Sequence, residues 1–273
     1  MRAPYDAVMP REAELVDRLR AAGCVFAEDE ARLLLAAADE PDALEQLVVR
    51  RIAGEPLEQV LGWAEFGGMR LHVEPGVFVP RRRTEYLAEV AAELASERAV
   101  AAGGARPVVV DLCCGVGAIG AMIADVAGPV DLVAADLDPA AVRAARRNLE
   151  PRGARVFEGD LFDALPRDLR ARVDVLAVNA PYVPTDEIAL MPPEARDHEA
   201  RIALDGGGDG LDVHRRVAAS AALWLAPGGS LVIETSERQA ATAARLMRQG
   251  ALVPRIMHDD DATVVVGRLR SAG

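Results

Sequence analysis

Apolar residues in the first fifty positions recur at the spacing of amphipathic helices. They form groups at 15–19, 31–35 and 44–48, and polar breaks at Gly23 and at 40–42 separate these groups. Such a three- to four-residue period places the apolar side chains on one face of each helix. The pattern predicts a small helical bundle, which we take as an N-terminal domain over residues 1–53.

The pattern changes at residue 54. Residues 54–80 combine Gly and Pro with alternating apolar positions, which is typical of a linker carrying a short β-hairpin. Helical periodicity returns at Thr84, a residue suited to an N-cap, and continues to about residue 100. We therefore assign 54–83 to the linker and expect a second domain over 84–273.

From residue 107, short apolar runs alternate with helical stretches. The predicted strands are 108–112, 130–137, 154–161, 173–179 and 229–235, with a terminal antiparallel pair in 253–269. The predicted helices are 117–127, 139–150, 214–226 and 238–250. This alternation predicts an α/β fold with a doubly wound, mostly parallel sheet. The connection over 183–213 exceeds ordinary loop length, and such loops are usually functional or disordered.

Charge and composition narrow the class of function. The 273 residues carry a formal net charge of −12, which disfavours a free-standing nucleic-acid binder, because such proteins gain affinity by neutralising phosphates. The arginine clusters at 81–83 and 143–147 fit solvated surfaces. There is no apolar signal region and no uncharged apolar stretch of about 18 residues. We therefore expect a soluble, cytoplasmic chain without a membrane partner.

The cysteines and histidines do not suggest a metal site. Cys113 and Cys114 are adjacent and Cys24 is distant, so the three cysteines form neither a zinc-type CxxC pair nor a disulfide framework. We expect reduced, structural thiols. The four histidines are too scattered to propose a metal site: His72, His198, His214 and His258.

The stretch VVVDLCCGVGAIG (108–120) carries the first candidate chemistry. An apolar strand runs into Asp111 and then into a turn in which Gly115 and Gly117 lack a Cβ, so a ligand can approach the backbone at a helix N-terminus. Asp111 would repel a diphosphate, whereas it suits a cationic or zwitterionic ligand. A tight turn without a ligand is the alternative.

The next two strands also end on carboxylates. Asp136 is the first choice to accept both hydroxyls of a ribose, with Asp138 as the alternative, although Asp138 also suits an N-cap before Pro139. At the end of the third strand, Asp160 suits an adenine amino group, with Leu161 and Phe162 as apolar walls. Because ligands of open α/β sheets bind at the carboxyl ends of the strands, these residues together indicate a nucleoside with a positive centre, S-adenosylmethionine.

The fourth strand ends in the tetrapeptide NAPY, residues 179–182. Alone it is also compatible with a turn that ends a strand. An amide nitrogen is a poor nucleophile, so a methyl acceptor of this kind must be held in line and its N–H donors must be matched. The Asn179 side-chain oxygen and the Ala180 carbonyl can be those acceptors, and Tyr182 can pack on the planar group after Pro181. No strong general base is required.

NAPY is similar to the Asn/Asp-Pro-Pro-Tyr/Phe tetrapeptide of methyltransferases that act on planar nitrogens. The wider chain resembles the HemK/PrmC family of protein-glutamine N5-methyltransferases over roughly residues 10 to 269. Pro80, Arg81, Thr84 and Glu85 match the family's Pro-Arg-Pro-x-Thr-Glu loop. Residues 192–211 resemble the loop after its tetrapeptide, and PGGSLVIETSERQ (227–239) resembles its Pro-Gly-Gly…Glu…Gln strand.

The resemblance implies a class I S-adenosylmethionine-dependent methyltransferase fold with a seven-stranded sheet. With the motifs above, it predicts a catalytic set of Asn179, Ala180, Pro181 and Tyr182. The predicted cofactor site is Phe78, Pro80, Arg81, Thr84, Asp111, Cys113, Gly115, Gly117, Asp136, Leu137, Asp160, Leu161 and Asn179. The departures from the family pattern cluster around this pocket and resemble a divergent branch: Cys113-Cys114 for Gly-Thr or Gly-Ser, Ala180 for Pro, residues 198–200 for Tyr-Glu-Pro, and residues 234–236 for Glu-Ile/His-Gly.

The activity that this resemblance implies is N5-methylation of a glutamine in a protein. The Gly-Gly-Gln loop of a peptide-chain release factor is the leading substrate and a ribosomal protein is an alternative. The N-terminal helices would dock the partner. Methylation of a nucleic-acid base nitrogen is a further alternative, which the acidity disfavours. A cofactor-binding module that has lost catalysis remains the alternative outside enzymes.

Overall fold

The computed structural model describes the backbone of residues 5–271 and the side chains of residues 12–271. Its helices are α1 (Tyr5–Ala21), α2 (Ala27–Ala37), α3 (Pro41–Ile52), α4 (Leu57–Leu61), α5 (Glu85–Ala101), α6 (Ala118–Val126), α7 (Pro139–Leu149), α8 (Pro193–His198), α9 (Asp212–Ala221) and α10 (Glu237–Gln249). Its strands are β1 (Trp63–Phe66), β2 (Met69–His72), β3 (Val108–Leu112), β4 (Asp131–Asp136), β5 (Arg155–Glu158), β6 (Val173–Val178), β7 (Leu225–Glu234), β8 (Leu252–Asp259) and β9 (Ala262–Leu269).

The N-terminal helices pack around their own hydrophobic cluster, centred on Leu19, Leu34 and Val48. A buried ion pair braces α2 against α3, because the Arg51 Nε donates to the Glu30 carboxylate at 2.6 Å. These contacts agree with a helical unit at this end of the chain. The boundaries at residues 53 and 83 stay predictions.

The predicted hairpin in the linker is present as β1 and β2. Phe66 pairs with Met69, so the loop is the two-residue Gly67-Gly68 turn. Both glycines have positive φ, +56° and +75°, the backbone that a two-residue hairpin turn of type I′ requires.

The main sheet has seven strands in the order β5-β4-β3-β6-β7-β9-β8. Strands β3 to β7 run parallel to their neighbours, and β9 pairs antiparallel with both β7 and β8. The predicted doubly wound sheet is therefore confirmed. The chain leaves β3 toward β5 and returns to the other side of β3 at β6, which creates a switch point where ligands of such sheets bind.

Both faces of the sheet are covered, which explains its continuous apolar strands. Alternate residues point to opposite faces, so Val109 packs with α5, α6 and α7, whereas Val110 packs with α9 and α10. Because strands β3 to β7 are parallel to one another, their carboxyl ends lie along one edge of the sheet.

Some predicted boundaries were wrong. The helix predicted over 214–226 ends at Ala221, and β7 begins at Leu225, because Leu225 pairs with Val173 of β6. The strand predicted to reach 161 ends at Glu158, since Gly159 has φ of +153° and a 3₁₀ turn follows. Asp138 does cap α7, accepting a hydrogen bond from the Ala140 amide at 2.9 Å.

The long connection over 183–213 contains α8 and two 3₁₀ turns. An isolated bridge between Val183 and Asp205 brings the two ends of this connection together. A second isolated bridge, between Gly76 and Glu199, joins the connection to the linker before α5. Over residues 5–271, the structure has no helix with the length and apolar character needed to cross a membrane.

Candidate active site

A cavity of about 330 Å³ opens at the carboxyl ends of β3 to β6. The residues of the predicted sites that line it are Phe78, Arg81, Cys113, Gly115, Asp136, Leu137, Asp160, Leu161, Asn179, Ala180, Pro181 and Tyr182. The structure thus brings together residues from the linker and from four separate strand ends. Pro80, Thr84, Asp111 and Gly117 are not among its lining residues.

Asp136, at the end of β4, is fixed by backbone amides. Its Oδ2 accepts from the Gly115 amide at 2.8 Å and its Oδ1 accepts from the Asp138 amide at 2.9 Å. Gly115 has φ of +54°, and a Cβ at this position would meet open space. Burial raises the pKa of Asp136 above its usual range. Both oxygens keep a lone pair for a further donor.

Gly117 and Asp111 shape this turn without lining the cavity, and their predicted contacts with a cofactor stay predictions. A Cβ on Gly117 would lie 2.7 Å from the Leu149 side chain, so this glycine permits close packing on α7. The Asp111 side chain is fully buried, and its Oδ2 accepts from the Gly120 amide at 2.8 Å. Its Oδ1 has no hydrogen-bond partner among the described residues. Burial raises the pKa of Asp111 to about 8.

Cys113 lies in the turn between Asp111 and Gly115 with φ of +59°, a backbone that side chains with a Cβ rarely adopt. Its side chain lines the cavity, and Cys114 behind it is buried. Burial raises the pKa of both thiols, so both are neutral near pH 7. The cysteines therefore fill space at the turn as uncharged groups.

At the end of β5, Asp160 lines the cavity beside Arg216 of α9. The Arg216 guanidinium donates to the Asp160 carboxylate at 2.7 Å. Leu161 also lines the cavity, as predicted. Phe162 does not line it: this residue is buried against Trp224 with ring centroids 5.6 Å apart, and its role as an apolar wall stays a prediction.

Asn179 follows β6 directly, and its side chain is anchored from behind. Its Nδ2 donates to the hydroxyl of the buried Thr84 at 3.3 Å. This contact commits the amide nitrogen and leaves the Oδ1 to accept other donors. Thr84 thus contacts the NAPY segment, while its side chain makes no cap hydrogen bond at the start of α5.

Tyr182 is held at its hydroxyl and at its carbonyl. The hydroxyl donates to Glu234 Oε1 at 2.9 Å and accepts from Arg83 Nη2 at 2.9 Å. The carbonyl accepts from the Gln239 amide at 2.9 Å. Burial and the nearby Glu234 carboxylate raise the pKa of Tyr182 to about 12, so its hydroxyl keeps its proton at neutral pH.

Arg81 ties the linker to the connection over 183–213. It donates to both carboxylate oxygens of Glu199, at 2.6 and 2.7 Å, and its guanidinium lies 4.6 Å from the centre of the Phe78 ring. Glu199 also accepts from the Val79 amide at 3.2 Å. Burial raises the pKa of Glu199, and this contact with Arg81 opposes that change.

Reasoning from sequence missed several residues of this site. Glu234, Gln239 and Glu199 lie in the segments that resemble the glutamine methyltransferases, so that resemblance was the signal that could have found them. Arg83, Arg216 and the apolar lining from 183–213 had no such signal. The latter includes Met191, Ile202 and Leu204.

Solved structures with the same architecture are methyltransferases. A methyltransferase from Pyrococcus furiosus superimposes with a TM-score of 0.54 at 14% identity, covering 81% of this chain and 97% of that one. The 16S rRNA N2 G1207 methyltransferase of Thermus thermophilus, solved with AdoMet and guanosine, gives 0.53 at 21% identity over 76% of this chain and 50% of that one. The methyltransferase small domain model matches residues 68–211. The protein is thus a class I methyltransferase.

Comparison with proteins of known name identifies the family within the class I methyltransferases. The release factor glutamine methyltransferase of Geobacter sulfurreducens is 39% identical over 75% of this chain and 69% of that protein. The one from Bradyrhizobium diazoefficiens is 35% identical over 88% and 86%. The 4-amino-L-phenylalanine/4-methylamino-L-phenylalanine methyltransferase of Streptomyces pristinaespiralis is 40% identical over 74% and 68%. The chain belongs to the family of release factor glutamine methyltransferases, the HemK/PrmC family that its motifs indicated.

Proposed function

We propose that this protein transfers the methyl group of S-adenosylmethionine to the side-chain nitrogen of a glutamine in a peptide-chain release factor. The observation that carries this proposal is the anchored Asn179 amide, which presents an acceptor oxygen to the same cavity that Asp136 lines. Release factors act in translation, so the reaction would take place in the cytoplasm. The acceptor names of the relatives support the choice of substrate.

The residues at the cofactor end of the cavity, Gly115, Asp136, Leu137 and Asp160, fit S-adenosylmethionine. The open space beside Gly115 admits a ligand against the backbone. Asp136 retains lone pairs for two ribose hydroxyls, and Asp160 retains one for an amino group beside its contact with Arg216. When bound, the cofactor supplies an electrophilic methyl group on a sulfonium.

The residues at the acceptor end, Asn179, Ala180 and Tyr182, would hold the amide. The Asn179 Oδ1 and the Ala180 carbonyl would each accept one N–H of the glutamine side chain. These contacts strengthen as positive charge develops on the nitrogen, so they stabilise the transition state more than the bound substrate. Tyr182 would pack on the planar amide. The methyl group would pass from sulfur to nitrogen and leave a neutral thioether. The nitrogen, made acidic by its positive charge, would then release one proton to water, so no strong base is needed.

A protein acceptor also needs a docking surface away from the cavity. We propose that the helical unit over residues 1–53 docks the release factor, with residues 84–273 as the catalytic domain. Arg51 of this unit pairs with Glu194 of α8 at 2.7 Å, and Gln59 of the linker that follows it donates to the His198 carbonyl at 3.2 Å. The segment over 183–213 that lines the cavity is thereby held by the N-terminal helices.

An aromatic amine of an amino acid is the second candidate acceptor. The observation that favours it is the relative from Streptomyces pristinaespiralis, whose name gives 4-amino-L-phenylalanine as its acceptor and which is 40% identical to this chain, against 39% for the glutamine methyltransferase of Geobacter sulfurreducens. A planar aryl nitrogen, like an amide, has a delocalised lone pair, so the same clamp would serve it.

Methyl transfer from labelled S-adenosylmethionine tests these candidates. The acceptors are a release factor, the same factor with the glutamine of its Gly-Gly-Gln loop changed to alanine, and 4-amino-L-phenylalanine. We expect label on the first alone. Label on 4-amino-L-phenylalanine without label on the release factor would support the second candidate. Equal label on both forms of the factor would contradict glutamine as the acceptor.

Asn179→Ala tests the clamp in the same assay. Because it removes a preorganised acceptor at the reacting nitrogen, we expect the rate of transfer to fall by about 100-fold. Arg172→Ala is the matched control, since Arg172 is exposed and precedes the opposite end of β6. An unchanged rate in Asn179→Ala would exclude the clamp mechanism.

A further inference from the structure

Glu234 ends β7 beside the strand that carries NAPY. Val178 of β6 pairs with Ile233 of β7, so Asn179 and Glu234 follow as neighbours at the same edge of the sheet. Glu234 is 2% exposed and does not line the cavity, whereas its partners Tyr182 and Arg83 both do. Any influence of Glu234 on an acceptor must therefore pass through these two side chains.

The Tyr182 hydroxyl uses both of its hydrogen-bonding roles in this cluster. It donates to Glu234 Oε1 and accepts from Arg83, both at 2.9 Å, and the Arg83 Nε lies 3.3 Å from the same Glu234 oxygen. A phenol held by one charged acceptor and one charged donor has a fixed ring orientation, because charge-assisted hydrogen bonds are about twice as strong as neutral ones. Two separate elements, β7 and the linker, thus set the position of one ring.

The carboxylate at Glu234 is costly to keep for stability alone. Removing a carboxylate from water costs several kcal/mol (order of magnitude), and its Oε2 has no hydrogen-bond partner among the described residues. Its partner Arg83 is 43% exposed and so offsets only part of that cost. The strand end itself is held independently, since His214 Nε2 contacts the Glu234 backbone carbonyl at 3.0 Å. The charged side chain therefore suits a role at the adjoining site.

We propose that Glu234 is a positioning residue, which together with Arg83 fixes the Tyr182 phenol against the planar methyl acceptor. This inference rests on the proposed methyl transfer to a planar nitrogen. In-line transfer requires the reacting atoms to be held within a narrow range of distance and angle, so a mobile ring at Tyr182 lowers the rate of transfer. The cofactor end has its own backbone contacts and is unaffected.

A double-mutant cycle in the labelled-methyl assay tests the coupling. We expect Glu234→Ala and Tyr182→Phe each to lower kcat/KM for the acceptor by about tenfold, the rate equivalent of one such contact. The double variant is expected to be no slower than Tyr182→Phe, because Glu234 acts only through the hydroxyl. Glu234→Gln retains an acceptor oxygen and is expected to stay within about threefold of the unchanged protein. The cofactor Kd, measured by calorimetry, is expected to remain within about twofold throughout.

The positioning role would be overturned if the losses in kcat/KM of the two single variants multiplied in the double variant. It would also be overturned if the cofactor Kd changed by as much as kcat/KM. If Glu234→Ala does not fold, the cycle is run with Glu234→Gln and Arg83→Ala, where Arg83→Ala must lose its effect in the Tyr182→Phe background. These outcomes separate a merely structural carboxylate from one that acts on Tyr182.

A second readout needs no acceptor. In protein carrying ¹³C-labelled tyrosine, the pKa of Tyr182 is expected near 12 in the unchanged chain and lower in Glu234→Gln, which removes the negative charge beside the phenol. Tyr86 is the internal control and keeps its pKa, because its charged neighbours include Asp259 and Arg255 and not Glu234. An unchanged Tyr182 pKa would overturn the contact. If neither acceptor is methylated by the unchanged protein, the proposed function fails, and this titration alone decides whether Glu234 fixes Tyr182.

Discussion

At the cofactor end of the cavity, backbone amides of Gly115 and Asp138 fix the Asp136 carboxylate, whereas at the acceptor end side chains from distant segments fix Asn179 and Tyr182. The first arrangement depends on the backbone of the turns that follow the neighbouring strands β3 and β4. The second depends on the linker, β6 and β7 meeting in space. Backbone amides are present whatever the side chains of these turns, so the contacts to Asp136 tolerate side-chain changes there, while the acceptor end can change whenever one distant partner changes.

The departures from the family pattern fall at both the cofactor end and the acceptor end of the cavity, and each end keeps its hydrogen bonds. Cys113 replaces a glycine in the turn, yet Gly115 still donates to Asp136. Ala180 replaces a proline, and Thr84 and Gln239 still hold Asn179 and the Tyr182 carbonyl on either side of it. The tertiary contacts thus supply part of the rigidity that a proline would give through its fixed φ.

Asp136→Ala is expected to give the largest effect and to break the cofactor end alone. The change removes the acceptor of two backbone amides and of the proposed ribose hydroxyls, so we expect the cofactor Kd to rise by about 100-fold. Calorimetry measures this, with Asp131→Ala at the exposed opposite end of β4 as control. A Tyr182 pKa that moves in Asp136→Ala would show that the two ends are not independent.

Gly210→Ala is expected to break the acceptor end with a smaller effect. Gly210 has φ of +75°, and a Cβ there would overlap the Tyr182 carbonyl oxygen and the Gln239 amide. We expect kcat for methyl transfer to fall by about tenfold while the cofactor Kd stays within about twofold. Gly208→Ala, in the same segment with open space around its Cβ, is the control and should transfer normally. Equal losses in the two variants would contradict the specific role of Gly210.

Asp111→Asn, a change behind the cofactor end, is expected to alter how the free energy of unfolding of the protein depends on pH. In the folded protein its pKa is raised to about 8, so between pH values of about 4 and 8 the folded state keeps a proton that the unfolded state loses. Stability of the unchanged protein should therefore fall relative to Asp111→Asn as pH rises through this window, by about 1 kcal/mol per pH unit. Above a pH of about 8, the difference in stability between the unchanged protein and Asp111→Asn is constant.

Urea unfolding without cofactor, at several pH values, measures this difference. Burial lowers the pKa of His214 to about 4, so this histidine destabilises the folded protein as pH falls below about 6.5. That contribution is common to both proteins and cancels in the comparison. Parallel stability curves across the window would mean that Asp111 is already ionised in the folded protein.

Parts of the cofactor end were predictable because they depend on local sequence, although the contact between Gly115 and Asp136 spans 21 positions. The strand, the Gly-containing turn and the Asp138 cap each follow from local preferences of the chain, and Asp136 lies at the end of the next strand. Residue type also suggested ligand contacts at Asp111 and Gly117, and these stay predictions. Only the structure shows that Asp111 accepts from the Gly120 amide and that Gly117 packs against Leu149.

The sequence by itself determined the order of strands and helices, the turn that shapes the cofactor end and the tetrapeptide NAPY, because periodicity and turn chemistry are local properties of the chain. Only the tertiary structure decided how NAPY is held. The Asn179–Thr84 contact spans 95 positions and the Arg83–Tyr182 contact spans 99. Such pairs form because a buried polar group must find a partner, and which partner lies within reach is fixed only when the sheet has assembled.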